Sequence, residues 1–238
     1  MCIFSYFDIV RIISLPSRKD RRRETKSEFK RNGYSIEEKN IGFFDAVRPE
    51  DKGEFPNVGS KGCFLSHLAV LKLADEKGAK NVLILEDDIA FSRDLVACAS
   101  KAIEQLADLE WDILYFGHGK PASEIGDLWI PAAYPGPMTH FYAVNRCMLK
   151  SLITFLEEVQ TRPAGHPGGG AMHYDAAINT FMLSNPDVKL FCFSKNLGYQ
   201  RPSETNIHEQ SRLHKSLILK PLWIIFRAFK RRRLTYKR

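Results

Sequence analysis

The amino-acid sequence predicts an α/β fold with a mostly parallel central sheet flanked by helices. Short apolar runs alternate with segments of helical apolar spacing from about residue 9 to residue 193. The clearest run, Val82–Leu85, has the composition of a strand that is buried on both faces. Because strands that alternate with helices form parallel crossover units, this order of elements predicts the fold class.

The elements follow one another along the chain. The first strand is predicted at residues 9–15, and Ser17 is a candidate N-cap for a helix that runs through residues 21–30 to the stop signal Asn32-Gly33. Residues 34–59 are predicted to be irregular because Gly, Pro and Asp interrupt them. The remaining helices are predicted at 62–74, 95–106, 146–159 and 174–183, and the remaining strands at 82–85, 111–117, 128–130, 139–145 and 188–193.

The basic residues are unevenly distributed. The 238-residue chain has a formal net charge of +7, with 35 Lys and Arg against 28 Asp and Glu. Ten of the cations and none of the acids lie in residues 210–238, which leaves 25 cations and 28 acids, about −3, in the rest. We therefore predict one globular domain at 1–208 and a basic amphipathic segment at 209–238.

The sequence also predicts the compartment. It contains no run of eighteen uncharged apolar residues, and Asp8 and Arg11 interrupt the apolar stretch at the N-terminus, so neither a membrane span nor a secretory signal is expected. The five cysteines show no CxxC spacing. Reduced thiols and a cytoplasmic location are therefore expected.

Three adjacent carboxylates, Glu86, Asp87 and Asp88, follow the apolar strand at 82–85. In open α/β sheets ligands bind beyond the carboxyl ends of the strands, and acids that repel one another there are commonly neutralised by a hard divalent cation. This pattern predicts a metal-assisted site for a phosphate-bearing substrate. The alternative is that these acids begin a solvated loop or cap the next helix.

Four segments form a recognisable combination, namely Ile12-Ile-Ser-Leu-Pro-Ser-Arg-Lys-Asp-Arg-Arg22, Gly62-Cys-Phe-Leu-Ser-His67, Val82-Leu-Ile-Leu-Glu-Asp-Asp88 and Phe141-Tyr-Ala-Val-Asn145. Together they resemble glycosyltransferase family 25, the lipopolysaccharide- and lipooligosaccharide-biosynthesis enzymes that include bacterial β-galactosyltransferases. The resemblance covers roughly residues 9–200. It implies a GT-A-type nucleotide-sugar fold, a divalent metal that is usually Mn²⁺, and a UDP-sugar donor.

The resemblance assigns expected roles to the acids and to the arginines near the first strand. Glu86 and Asp88 would contact the metal and Asp87 the donor. Arginines beside a helix N-terminus suit a diphosphate or a uracil edge, although a solvated basic helix face would have the same composition. The arginines predicted to bind the donor are Arg18, Arg21 and Arg22, with Arg18 nearest the strand end.

Two further groups of residues are candidates for contact with the donor or the acceptor. Ser66 and His67, expected in the first turns of the helix that starts near Gly62, would hydrogen-bond donor phosphate or sugar hydroxyls; the alternative is a structural histidine. Asp175 would be the base that takes the acceptor hydroxyl proton, or an aspartate favoured by the helix dipole. His173 is a second candidate for the base.

Three predictions concern later parts of the chain. The glycine-rich loop at 166–170 could cover the donor, gate the acceptor or only connect two helices. His208 could be a late metal ligand. Residues 217–233 interleave Leu, Ile, Trp and Phe with cations, which favours binding to anionic lipid over nucleic acid, with packing against the domain as the alternative.

The sequence therefore predicts a cytoplasmic enzyme that is peripheral on the inner face of the membrane. It would transfer a sugar, with galactose expected, from a UDP-sugar to a saccharide or lipid-linked glycan acceptor, with inversion. No nucleic-acid partner is expected. One alternative is a nucleotidyltransferase that makes an activated sugar, although no glycine-rich, lysine-bearing loop follows the first strand. The other is a non-catalytic glycan- or membrane-binding module on a transferase fold.

Overall fold

A computed structural model describes residues 2–118, 128–132 and 138–201 of the chain. A 3₁₀-helix at Ile3–Tyr6 comes first. The helices are α1 (Lys19–Arg31), α2 (Val58–Glu76), α3 (Asp94–Ala107), α4 (Arg146–Thr161) and α5 (Tyr174–Ser184). The strands are β1 (Ile9–Ser14), β2 (Ile41–Asp45), β3 (Asn81–Glu86), β4 (Ile89–Phe91), β5 (Ile113–Tyr115), β6 (Trp129–Pro131), β7 (Phe141–Asn145), β8 (Leu190–Phe193) and β9 (Gly198–Gln200).

The central sheet has the strand order β2-β1-β3-β7-β5-β8-β6. Strands β2, β1, β3, β5 and β8 run in one direction, and β7 and β6 run against them. The predicted α/β class, with a mostly parallel sheet flanked by helices, is confirmed. Strands β1, β2 and β3 lie side by side and parallel, so their carboxyl ends meet at one edge of the sheet.

Both faces of the sheet are covered, which explains why β3 is apolar throughout its interior. Val82 and Ile84 pack into the core formed with α2, α4 and α5. Leu83 and Leu85 face the opposite side and pack with α1, α3 and the N-terminal 3₁₀-helix. Successive side chains of a strand point to opposite faces, so a strand between two helical layers needs apolar residues at every position.

The structure corrects two predicted helix starts. Ser17 does not cap α1, which begins at Lys19 with Arg18 at the N-cap position. Helix α2 begins at Val58 rather than near Gly62, because the Asn57 side chain accepts a hydrogen bond from the backbone N–H of Ser60 and caps the helix there. Gly62, Ser66 and His67 therefore lie in the interior of α2 instead of in its first turns.

The sequence prediction also missed strands β2, β4 and β9. Strand β2 lies within the segment predicted to be irregular. Strands β4 and β9 form a separate antiparallel pair that aligns Ile89 with Gln200. This pairing brings residues 200 and 201 next to the acids that follow β3.

The chain beyond Arg201 is outside the described residues. His208 and the basic segment 209–238 belong to that part, and the domain boundary at 208 therefore stays a prediction. Among the described residues, no helix is long and apolar enough to cross a bilayer.

Candidate functional site

The carboxyl ends of β1, β2 and β3 open into a cleft of about 730 Å³. This volume is within the range of sites that bind small molecules. Its walls come from the turn after β1, the segment that joins β2 to α2, the first half of α2, the acids after β3, and Gln200 with Arg201. Four arginines and three carboxylates line it, namely Arg18, Arg21, Arg48, Arg201, Glu86, Asp87 and Asp88.

Asp87 is held within the protein. One carboxylate oxygen accepts a hydrogen bond of 2.7 Å from the Ser14 hydroxyl, and the other accepts one of 2.9 Å from the Arg21 guanidinium. Its backbone carbonyl accepts hydrogen bonds from the Thr25 hydroxyl and from the Arg201 side chain. Asp87 thus connects β1, α1 and Arg201 to the end of β3 through hydrogen bonds. Its contact with the donor stays a prediction.

Asp88 has a different environment. Its Oδ1 atom is buried and has no hydrogen-bond partner among the described residues, and its Oδ2 atom lies 3.9 Å from Arg21. Burial raises the pKa of Asp88 to about 7; the negative charge of Glu86 acts in the same direction, and Arg21 opposes both. This carboxylate is therefore costly to ionise in the absence of a cation.

Glu86 lies between His67 and Gln200. Its Oε1 atom is 3.6 Å from the Nε2 atom of His67, an ion-pair distance too long for a hydrogen bond, and its Oε2 atom accepts a hydrogen bond of 3.0 Å from Gln200. Burial favours a higher pKa for Glu86, but the neighbouring His67, His140 and Gln200 hold the pKa below its usual value. Glu86 and Asp88 both line the cleft, and their environments shift their pKa values in opposite directions.

The Gly-Cys-x-x-Ser-His segment of α2 builds one wall of the cleft. A Cβ atom on Gly62 would lie 2.8 Å from the Val47 carbonyl oxygen, so only glycine allows the chain after β2 to pass this close. The Ser66 hydroxyl donates to the Gly62 carbonyl at 2.5 Å and accepts from the Val47 backbone N–H at 2.8 Å. These contacts fix the segment that carries Arg48. They give Ser66 a positioning role, and its predicted contact with the donor is not tested.

His67 is fully buried in the wall of the cleft. Its Nδ1 atom is 3.1 Å from the Tyr142 hydroxyl, which in turn lies 2.7 Å from the Tyr174 hydroxyl. The imidazole stacks on the Tyr174 ring with centroids 4.2 Å apart. These aromatic contacts fix the orientation of the ring, and its Nε2 atom has no hydrogen-bond partner among the described residues.

The three predicted arginines have separate positions. Arg18 and Arg21 line the cleft; Arg18 is paired with Asp20, and Arg21 with Asp87. Arg22 is not among the cleft-lining residues. Its guanidinium contacts Asp45 and the Ser14 carbonyl and lies over the Phe43 ring, which ties α1 to the ends of β1 and β2. Arg22 therefore links elements of the fold instead of forming a solvated face, and its predicted contact with the donor stays a prediction.

Arg48, Gln200 and Arg201 were not predicted as site residues. Arg201 is buried, its backbone N–H donates to the Asp88 carbonyl at 2.6 Å, and its side chain donates to the Asp87 carbonyl at 2.6 Å. No local pattern identifies these residues, because Gln200 and Arg201 reach the acids only through the β4–β9 pairing.

Asp175 and His173 lie at the start of α5 and are not among the residues that line the cleft. Asp175 accepts a hydrogen bond from the Ala176 backbone N–H, and its charge is close enough to Cys63 to help raise the pKa of that thiol, after burial and Glu86. His173 lies 3.0 Å from the Ser60 hydroxyl. Asp175 is therefore near the cleft-lining Cys63 without lining the cleft itself, and its role as the base stays a prediction.

The loop at 166–170 also lies elsewhere. The Gly168 carbonyl accepts a hydrogen bond from Arg162, and a Cβ atom on Gly169, at φ +86°, would contact Val159 and Thr180. The loop therefore closes against α4 and α5, and it does not line the cleft. This position favours its interpretation as a connection between the two helices.

The carboxylates of the cleft fit a hard divalent cation. Two carboxylates face the same space, and the buried Oδ1 atom of Asp88 has no hydrogen-bond donor among the described residues. Hard cations prefer carboxylate oxygens, and a cation here would relieve the repulsion between Glu86 and Asp88. Glu86 and Asp88 are therefore the residues suited to hold it.

The raised pKa of Asp88 predicts a pH dependence of stability. The unfolded chain loses this proton near pH 3.8 and the folded protein near pH 7, so the free energy of unfolding falls as pH rises through this window. Relative to Asp88→Asn, EDTA-treated wild-type protein should lose about 3 kcal/mol between pH 5 and pH 8. Denaturant titrations of both proteins at each pH would measure the difference. A difference that does not change with pH would contradict the prediction.

Sequence comparison identifies the family to which this site is similar. The model of glycosyltransferase family 25 (LPS biosynthesis protein) matches residues 57–122, which include α2 and the acids after β3. A Drosophila pseudoobscura protein named as a glycosyltransferase 25 family member is 29% identical over 143 residues, 53% of this chain and 23% of that protein. The resemblance to glycosyltransferase family 25 is confirmed.

Other family 25 relatives differ in activity. Mouse procollagen galactosyltransferase 2 is 29% identical over 129 residues, 47% of this chain and 21% of that protein. A human relative, 26% identical over 129 residues, 47% of this chain and 22% of that protein, is named inactive glycosyltransferase 25 family member 3. The matched part of the chain spans only about a fifth to a quarter of the length of these relatives.

The solved structures that match this chain have TM-scores below 0.5 and low sequence identity. A mutant of Drosophila β1,4-galactosyltransferase 7 in complex with manganese, UDP-Gal and xylobiose has a TM-score of 0.44 and 6% identity, over 87% of this chain and 77% of that one. A glycosyltransferase involved in glycosylation of the PBCV-1 major capsid has a TM-score of 0.39 and 14% identity, over 78% and 92%.

Proposed function

We propose that this protein is a metal-dependent glycosyltransferase of the GT-A type that transfers galactose from UDP-galactose to a saccharide acceptor. The observation that carries the proposal is the combination of Glu86 and Asp88 with four arginines in one cleft. The segment that matches family 25 supplies both acids and the wall formed by α2. Paired acids suit a cation, and arginines suit the oxygens of a diphosphate.

The arginines of the cleft would have different roles in binding the donor. Arg18, at the N-cap of α1, and Arg48 would contact the diphosphate, and the start of α1 adds the positive end of a helix dipole. Arg21 is already shared between Asp87 and Asp88, so it would place the acids as well as attract the donor. The cleft thereby concentrates positive charge where a nucleotide diphosphate would lie.

Glu86 and Asp88 would hold the divalent cation, with Mn²⁺ proposed and with His208 as a further proposed ligand. Such a cation neutralises the charge that develops on the diphosphate when UDP leaves. Asp88 would bind it as the ionised carboxylate, and Gln200 would keep Glu86 turned toward the cleft. Asp175 would take the proton of the acceptor hydroxyl in a displacement with inversion.

Transfer assays with a panel of UDP-sugars test the proposal. With Mn²⁺ and saccharide acceptors, UDP release should be fastest from UDP-galactose, should stop in EDTA and should return with excess Mn²⁺. Turnover that persists in EDTA would refute the metal dependence, and faster release from another UDP-sugar would refute galactose. Mass spectrometry of the acceptor distinguishes transfer, which adds the mass of a sugar residue, from hydrolysis of the donor, which does not.

A non-catalytic role is the second candidate, because two relatives in the family have the word inactive in their names. A binding module would retain affinity for UDP or for a glycan without turnover. Calorimetric binding of UDP, combined with no product from any donor and acceptor pair, would favour this candidate over the enzyme.

We also propose that the enzyme works at the inner face of the cytoplasmic membrane, where a lipid-linked surface glycan would be its acceptor. The support is the sequence of residues 209–238, in which apolar and aromatic residues alternate with cations that would each add about 1 kcal/mol at an anionic surface. Removal of residues 212–238 should abolish sedimentation with anionic liposomes and leave hydrolysis of soluble donor unchanged. Retained sedimentation would refute the proposal.

A further inference from the structure

We propose that Cys63, His67 and Glu86 form a second cation site, specific for a soft divalent metal such as Zn²⁺, in the wall of the cleft. Cys63 and His67 are one turn apart on α2, and Glu86 ends β3 beside them. One ligand atom from each residue lies within 4.8 Å of the others. The site differs from the proposed Mn²⁺ site because it has a sulfur and a nitrogen ligand in place of Asp88.

The distances suit coordination. His67 Nε2 and Glu86 Oε1 are 3.6 Å apart. Two ligands that each lie about 2.1 Å from a tetrahedral Zn²⁺ are separated by about 3.4 Å. Shifts of less than about 1 Å would therefore bring all three ligands to a shared ion. Three protein ligands leave a fourth position open toward the cleft, as in zinc sites that bind water or substrate.

His67 is oriented as a ligand. Its Nδ1 atom is engaged with Tyr142, its ring is stacked on Tyr174, and its buried Nε2 atom has no hydrogen-bond partner among the described residues. Metal-binding histidines commonly have the other ring nitrogen held by a hydrogen bond in this way. An unsatisfied buried nitrogen that faces a carboxylate is costly, and a shared cation would remove the cost.

The chemistry of the donor set selects the metal. Thiolate and imidazole favour Zn²⁺ and similar ions, whereas Glu86 with Asp88 offers only oxygen, which suits Mn²⁺. Burial raises the pKa of the Cys63 thiol well above its usual value. The thiol is therefore protonated without metal, and binding would release its proton to solvent as the sulfur–metal bond forms.

Glu86 belongs to both proposed metal sites, so occupation of one site should affect the other. This expectation rests on the proposed function. A soft cation held by Cys63 and His67 would occupy the carboxylate needed by Mn²⁺, so Zn²⁺ should inhibit transfer in competition with Mn²⁺. Inhibition of this kind would require Cys63, whereas metal binding itself can be measured without donor or turnover.

Cobalt titration of the full chain tests the site directly. Co²⁺ added to EDTA-stripped, dialysed protein should give one equivalent of a thiolate-to-cobalt charge-transfer band, which Zn²⁺ should remove. Cys63→Ser should abolish the band and His67→Gln should weaken binding at least 10-fold, by about 1.4 kcal/mol. Cys98→Ser is the matched control, because Cys98 is a half-buried thiol on α3 outside the cleft. Absence of the band in wild type, or its survival in Cys63→Ser, would overturn the proposal.

X-ray absorption at the zinc edge gives a second test that does not depend on the folding of a variant. Wild-type protein loaded with one equivalent of Zn²⁺ should show one sulfur at about 2.3 Å together with nitrogen and oxygen ligands at about 2.0–2.2 Å. A shell of nitrogen and oxygen alone would overturn the site, whatever the transferase assays show.

Discussion

Asp88→Asn is expected to reduce Mn²⁺-dependent turnover of UDP-galactose by about 100-fold or more, while the protein stays folded. The amide keeps the shape of the side chain but removes the charge that would hold the cation. A metal that stabilises the leaving diphosphate contributes several kcal/mol, and each 1.36 kcal/mol lost from the transition state is a tenfold loss in rate. The rate of UDP release at saturating Mn²⁺ measures the effect.

The control for Asp88→Asn is Asp187→Asn, which changes an exposed acid before β8. It should leave the rate within twofold of wild type. The active-site substitution should also make the EDTA-treated protein more stable at pH 8, because it removes a carboxylate whose pKa the fold raises to about 7. An Asp88→Asn variant with wild-type activity would refute the assignment of Asp88 to the metal.

Asp87→Ala is expected to lower the free energy of unfolding by about 3 kcal/mol or more. The change removes the nearer carboxylate from the Arg21 guanidinium, which is 15% exposed and lies 3.9 Å from Asp88, and it removes the 2.7 Å acceptor of the Ser14 hydroxyl. A buried charge that loses its partner keeps the cost of desolvation and loses the attraction that offset it. Urea denaturation followed by circular dichroism measures the loss.

Two further variants separate the buried pair from surface effects. Asp20→Ala breaks another Arg–Asp pair on α1, but Asp20 is 56% exposed, so a loss below about 1 kcal/mol is expected. Arg21→Met introduced into Asp87→Ala should recover part of the stability, because it removes the buried cation that has lost its nearer carboxylate. A loss of less than 1 kcal/mol in Asp87→Ala itself would contradict the structural role of this residue.

The central part of the fold could be predicted because its signals are local. The apolar run of β3 reflects burial on both faces, and the acids that follow it mark the end of the strand at the cleft. The sequence prediction starts α2 too late because it treats Gly62 as the beginning of the helix, whereas Asn57 caps the helix at Val58. The actual role of Gly62 is to let the segment after β2 approach within contact distance.

The sequence does not predict which of the three acids is held by hydrogen bonds within the protein and which are suited to a cation. Adjacent acids in a sequence are alike until their partners are known, and the partners of Asp87 come from β1, α1 and Arg201. Arg201 is 114 residues from Asp87 in the chain, and only the antiparallel pairing of β4 with β9 brings the two together. The spacing of residues along the sequence does not predict contacts between segments so far apart.

The hydrogen bond from the Arg201 backbone N–H to the Asp88 carbonyl fixes where the chain leaves the described structure. Arg201 itself lines the cleft beside the acids. His208 is seven positions further along the chain, and seven fully extended residues span about 25 Å at most. Chain connectivity alone therefore sets an upper limit on the distance between His208 and the acids, which is compatible with its proposed role as a metal ligand.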